Sequence, residues 1–145
     1  MKNKILIVLF LIYVSIGFSQ QKVTWKDLSK VKFTEKYFPQ YDEAFLQPTF
    51  LPSVKALAGK TISITGYFLN IDPRGHIYIL SKGPMSSCFF CGVGGPETAI
   101  ELQFKTSPPF RTDDIITVTG TLKLNADNVD HFNYILTQCK AQVKG

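Results

Sequence analysis

The sequence predicts an all-β fold: a small five-stranded Greek-key barrel behind an irregular, partly helical lead-in. Three observations carry this. From Lys60 on, apolar and polar residues alternate in five short runs, the period of a half-buried strand. No two runs are joined by a stretch of helical spacing, which argues a meander or barrel rather than βαβ units. The first run also carries Gly66 at its centre, where a glycine marks a bend that lets one strand serve two sheets.

Residues 1–19 stand outside this fold. Lys2 and Lys4 precede an apolar run of 14 residues, Ile5 to Phe18, and Gly17 and Ser19 are small residues placed for cleavage after Ser19. This is the pattern of a secretory signal peptide. The run is shorter than the ~20 residues of a spanning helix, so an uncleaved anchor is the rival reading. No later segment is apolar enough to insert into a membrane. The expected organisation is a signal peptide over 1–19, a lead-in over 20–59 packed on the barrel, and the barrel domain over 60–145. The expected location is the periplasm or the medium.

Within the lead-in, Trp25, Leu28 and Val31 recur at near-helical spacing and suggest a short helical turn. Pro39, Pro48 and Pro52 then break any long element. Pro52 to Ala58 suits one or two helical turns, with proline in the first turn, Gly59 just past the end, and Val54 and Leu57 on the buried face.

The five strands follow. Thr61–Leu69 places Ile62, Ile64 and Phe68 on one face. Asp72-Pro73-Arg74-Gly75 is a turn. His76–Leu80 returns with Ile77 and Ile79 inward. Thr98–Phe104 sets Ile100, Leu102 and Phe104 inward, with Glu101 and Gln103 outward, and Pro108-Pro109 ends it. Asp114–Leu122 buries Ile116, Val118 and Leu122. After the polar turn Asn125–Asp130, the strand Phe132–Gln138 puts Phe132, Tyr134 and Leu136 on one side. Strict alternation assigns Cys139 to the other side, with Ile135 and Thr137.

Charge excludes one class of partner. The chain carries +5, which falls to +3 when Lys2 and Lys4 leave. From Thr61 onward seven basic residues face seven acidic ones, so the barrel is neutral. The surplus is a dispersed set of lysines in the lead-in, the mark of a solvated surface. A nucleic-acid groove would interleave basic and aromatic residues on the barrel itself. Tyr67, Tyr78 and Tyr134 offer a stacking face, but Glu101 and Gln103 hold the outward positions of the third strand. No nucleic-acid partner is expected.

The segments Gly59-Lys-Thr-Ile-Ser-Ile-Thr-Gly-Tyr67 and Asp114-Ile-Ile-Thr-Val-Thr-Gly120 resemble the first and fourth strands of OB-fold proteins, which makes the expected barrel OB-like. The link from Phe104 to Asp114 is too short and proline-rich for the helix many such folds place there. Together with the loop Cys88-x-x-Cys91-Gly-x-x-Gly-Pro-Glu97, these segments resemble small exported bacterial proteins of unknown function with an OB-like domain. The resemblance covers about residues 45–139, and the Cys loop is its most specific part. It implies a periplasmic, non-enzymatic accessory module and supplies no substrate.

Three chemistries suit that loop. Cys-x-x-Cys-Gly is half of a zinc knuckle, with the turn aiming both sulfurs at one ion. Zinc wants four ligands, so Cys139 is the candidate third and Glu97, His76 or His131 the fourth. The same turn suits a disulfide, and export favours one. Loop closure gives about 2 kcal/mol for a Cys88–Cys91 bridge and about 4 kcal/mol for a bridge from either to Cys139. A thiol-exchange catalyst is disfavoured, because the glycines and Pro96 do not start a helix. Phe89 and Phe90 cannot both point inward in extended chain, so one is a candidate contact for an envelope protein partner. His76 and His131 fall in distant hairpins and read as surface residues. No nucleophile–base pair, phosphate loop or metalloprotease motif is present, so no enzyme is expected. Two functions follow: an exported binding module whose loop residues Cys88, Cys91, Cys139 and Glu97 hold zinc, or an interaction module whose disulfide-locked loop presents Phe89 and Phe90.

Overall fold

The computed structural model describes residues 20–72, 74–88 and 92–145. The expected signal segment, Pro73, Phe89, Phe90 and Cys91 lie outside the described residues. The chain opens with β1 (Gln21–Lys22), a helical turn α1 (Trp25–Leu28), and the strands β2 (Val31–Phe38) and β3 (Glu43–Phe50). A second turn, α2 (Pro52–Lys55), leads into β4 (Thr61–Asp72) and β5 (Ile77–Ser81). Two 3-10 turns, Met85–Ser87 and Pro96–Thr98, flank the Cys loop. Then come β6 (Ala99–Leu102), β7 (Ile115–Leu124) and β8 (Tyr134–Val143).

Five of these strands close a barrel. The order is β4-β5-β6-β8-β7, with β7 returning to β4. All pairs are antiparallel except β6–β8, so the fourth and fifth strands exchange places as a Greek-key path requires. All five predicted strands are present. The bend in β4 falls where the glycine placed it. Tyr67 pairs with Ser81 of β5 and with Ile115 of β7, so one strand passes from one neighbour to the other there. A Cβ on Gly66 would lie 2.6 Å from the Ser81 carbonyl oxygen and 2.9 Å from Trp25 Cζ2. Only glycine allows that approach.

The barrel interior holds Ile62, Ile64, Phe68, Tyr78, Leu80, Ile100, Leu102, Ile116, Val118, Leu122, Tyr134 and Leu136. The lead-in is part of the same core, through Val23, Leu28, Phe50, Val54 and Leu57. Thr24 caps α1 in a reciprocal capping box with Asp27. Trp25 Nε1 donates to the Thr65 carbonyl at 2.9 Å, and the buried Tyr134 hydroxyl donates to the Leu28 carbonyl at 2.6 Å. β1 adds to the edge of β4 in parallel.

Three expectations are corrected. Residues 31–50 form a regular antiparallel hairpin rather than a stretch broken by proline. Pro39 lies in its turn and Pro48 within β3, opposite Phe33. Both strands of a two-stranded ribbon are edges, so a proline whose nitrogen faces outward costs no ladder bond. In β5 the inward residues are Tyr78 and Leu80, while Ile77 is 43% exposed. Ile79 belongs to a second cluster with Leu69, Cys88 and Ala99 on the outer face. Both faces of β5 are covered, so alternation could not say which face looks into the barrel. Phe132 lies before β8 and packs on that second cluster, while Cys139 of β8 lies in the main core. The β7–β8 register shifts between Thr119 and Thr121, and Gln138 has φ +53°. This bulge reverses the facing of everything after it.

Candidate functional site

Of the residues expected to share a metal, Cys88, Cys139 and Glu97 lie among the described residues and form no metal-holding group there. Cys88 is 2% exposed and follows the Met85–Ser87 turn into the outer cluster. Cys139 is in the barrel interior, where its thiol donates to the Leu136 carbonyl at 3.1 Å and is unbridged. Burial pushes that thiol up to about 11. The sheet lies between the two clusters, so no bridge joins Cys139 to Cys88. Glu97 sits in the Pro96–Thr98 turn beside α1, near enough that its charge helps raise Tyr134, after the larger effect of burial. Among the described residues, no group of three or more His, Cys, Asp or Glu side chains is placed to hold an ion. Cys91 lies outside them, as do the proposed contact residues Phe89 and Phe90. The loop itself is tightly turned: Gly92 and Gly94 have φ +77° and +82°, and Val93 N–H donates to the Cys88 carbonyl at 3.4 Å. Asp113 Oδ1 accepts the Met85 amide at 2.7 Å, and Asp114 Oδ2 accepts the Arg111 amide at 2.8 Å. Both aspartates thus tie loops.

The three tyrosines share no stacking face, because Tyr78 and Tyr134 are core residues and Tyr67 packs on the outer cluster. What the fold does assemble is a groove of about 550 Å³ over the open ends of β5 and β6. Its walls are the β4–β5 turn, the segment after β6, and the end of the β7–β8 loop. Both histidines of the chain line it. His76 enters β5 at φ +56°, a left-handed conformation that few non-glycine residues adopt. Its Nδ1 lies 2.9 Å from the Tyr78 hydroxyl and 3.2 Å from Ser107 Oγ, and the Tyr78 hydroxyl donates to Ser107 Oγ at 3.2 Å. Tyr78 also stacks on Phe68 and meets Phe104 edge-on, which fixes its ring.

On the other wall, His131 Nδ1 is 3.0 Å from both carboxylate oxygens of Glu101. The same carboxylate accepts the Phe132 amide at 3.2 Å and Gln103 Nε2 at 2.9 Å. Glu101 is the outward residue of β6, as its alternation predicted, and is held as a fixed acceptor. The sequence alone places the two histidines on the surface, in distant hairpins. They are exposed, and they are also brought to one groove, because the barrel sets the first and last hairpin turns at opposite ends of the four-residue strand β6, and both reach the groove between them. Alternation carries no such information.

No family model matches the chain, and no curated protein matches it. Among solved structures, it is similar to the crystal structure of a DUF3299 family protein from Pseudomonas aeruginosa PAO1, with a TM-score of 0.57 and 13% identity. That alignment covers 88% of this chain and 97% of the other, more than the barrel alone could supply. At this identity the likeness is one of fold, and it extends into the lead-in.

Proposed function

We propose that this protein is an exported, non-enzymatic binding module and that its working surface is the groove over β5 and β6. The observation that carries the reading is the position of that groove. In five-stranded Greek-key barrels of the OB type, ligands lie on the face of strands two and three, between the loop joining strands one and two and the loop joining four and five. Here those elements are β5, β6, the β4–β5 turn and the β7–β8 loop, and they are the walls described above. The polar groups inside converge from separate segments: His76 and Ser107 on one side, Glu101 and His131 on the other. Ser107 and His76 are close, yet among the described residues nothing orients Nε2 of His76. The pair therefore reads as a binding platform rather than a nucleophile and its base.

Zinc at the Cys loop is the weaker reading. With Cys139 in the core, Cys88 and Cys91 would supply two ligands where a structural site needs four. The turn at Gly92 is what still favours it.

One experiment tests both. Amide spectra of the protein are recorded during titration with four probes: zinc chloride, a thymidine oligonucleotide, a neutral oligosaccharide and an unstructured peptide. The expected result is saturable shifts that include residues 75–78, 101–107 and 130–132 with at least one probe. Shifts confined to residues around the Cys loop, with about one equivalent of zinc retained, would replace the groove by the metal reading.

A further inference from the structure

We infer that the groove takes a neutral, hydroxyl-rich chain, an oligosaccharide laid across β5 and β6; this rests on the groove being the binding surface. Charge comes first. The lining holds one lysine, Lys105, against two carboxylates, Glu101 and Asp130. A phosphate-bearing chain would meet two carboxylates there and one ammonium group, the reverse of what nucleic acid needs.

Main-chain groups exclude a peptide added as a strand. Glu101 and Leu102 are paired with β8. The Gln103 amide donates to Leu136, and the Gln103 carbonyl accepts from Cys139. The floor offers no free strand edge, and such peptides bind through main-chain hydrogen bonds. A bound cation lacks its ligands, since no three suitable groups meet among the described residues.

What remains is what the groove presents. Ser107 carries a hydroxyl that both donates and accepts, Gln103 offers an amide, and Glu101 is a carboxylate locked by its neighbours. The half-buried rings of Phe104 and Phe132 line the same groove. Hydroxyls and amides match sugar hydroxyls in both directions, and ring faces suit the apolar side of a pyranose.

The site is also long. A second groove, of about 410 Å³, shares Asp130, His131 and Phe132 with the first and runs on to Phe45 and Leu46 of β3. The hairpin that forms its far wall is pinned to the β7–β8 loop. Gln47 Nε2 donates to Asp127 at 2.6 Å, and Lys36 pairs with the same carboxylate at 3.5 Å. Leu46 is 48% exposed there. Two confluent troughs fit a chain of several sugars better than one ring.

The probe is a neutral N-acetylglucosamine hexamer, with the dimer as the short control, titrated while amide spectra are followed. The hexamer should shift residues of both grooves and bind more tightly than the dimer. Gln103→Ala should weaken binding about threefold to tenfold, the effect of one lost hydrogen bond. Leu46→Ala should erase the advantage of the hexamer, while both variants keep the wild-type fold by spectrum. If zinc, oligonucleotide or peptide shifts the groove and neither the hexamer nor a cellohexaose control does, the glycan inference falls and the groove reading stands. If no probe shifts the groove, both fall.

Discussion

A thiol expected on the outside of β8 lies in the core, and its titration becomes a property of the fold. Cys139 is 9% exposed, and burial pushes its pKa from 9.0 up to about 11. The raised value means that between pH 9 and 11 the unfolded chain has lost a proton the folded chain keeps. Stability is therefore fully present below pH 9 and falls as pH rises toward 11, by about 2–3 kcal/mol at this one site. Tyr134, pushed up by burial and then by Glu97, adds loss of the same sign above pH 10. Urea unfolding across pH 8–11 should show this fall, and Cys139→Ala should make it shallower without abolishing it. A flat profile in the parent protein would refute the placement of the thiol. Gly66 shows the opposite kind of legibility. Its place mid-strand was visible in the sequence, and the cause is the close approach of Ser81 and Trp25.

Elements buried on one face were readable by alternation, and those with a shift or with two covered faces were not. β6 and β7 bury the residues their period assigns, Ile100 and Leu102, and Ile116, Val118 and Leu122. β8 departs because one residue is inserted against β7, and a one-residue insertion is silent in composition. The hairpin β2–β3 was hidden by Pro48, read as a breaker when the ribbon has edges that tolerate it. The bulge gives a prediction in which propensity and structure disagree. Gln138 is exposed in a strand, so valine, a better strand former, ought to help. It sits at φ +53°, where a β-branched side chain is strained by about 1–2 kcal/mol. Gln138→Val should lower the unfolding free energy by that amount, seen as a lower urea midpoint at an unchanged slope, whereas Gln138→Gly should not. A stabilised valine variant would mean the bulge is absent.

For the molecule as a whole, the lead-in and the barrel share one core. The sequence marked residues 20–59 as a segment packed on a barrel; the structure gives it five side chains in the main core and two polar anchors, Trp25 to Thr65 and Tyr134 to Leu28. Val23, Leu28, Phe50, Val54 and Leu57 are each under 9% exposed. Burial of such side chains contributes roughly 1.5–3 kcal/mol each, a sum comparable to the ~5–15 kcal/mol that a whole domain retains. Removing the segment would also uncover the edge of β4 that β1 now pairs, leaving an open strand beside an exposed apolar surface. A chain beginning at Lys60 should therefore fail to melt cooperatively, bind a hydrophobic dye and associate. A sharp thermal transition with dispersed amide shifts in that shortened chain would show that the barrel is self-sufficient. The same reasoning ties the groove to the lead-in, because the far wall of its extension is the hairpin. A ligand spanning both troughs should raise the melting temperature of the protein, and Leu46→Ala should reduce that gain.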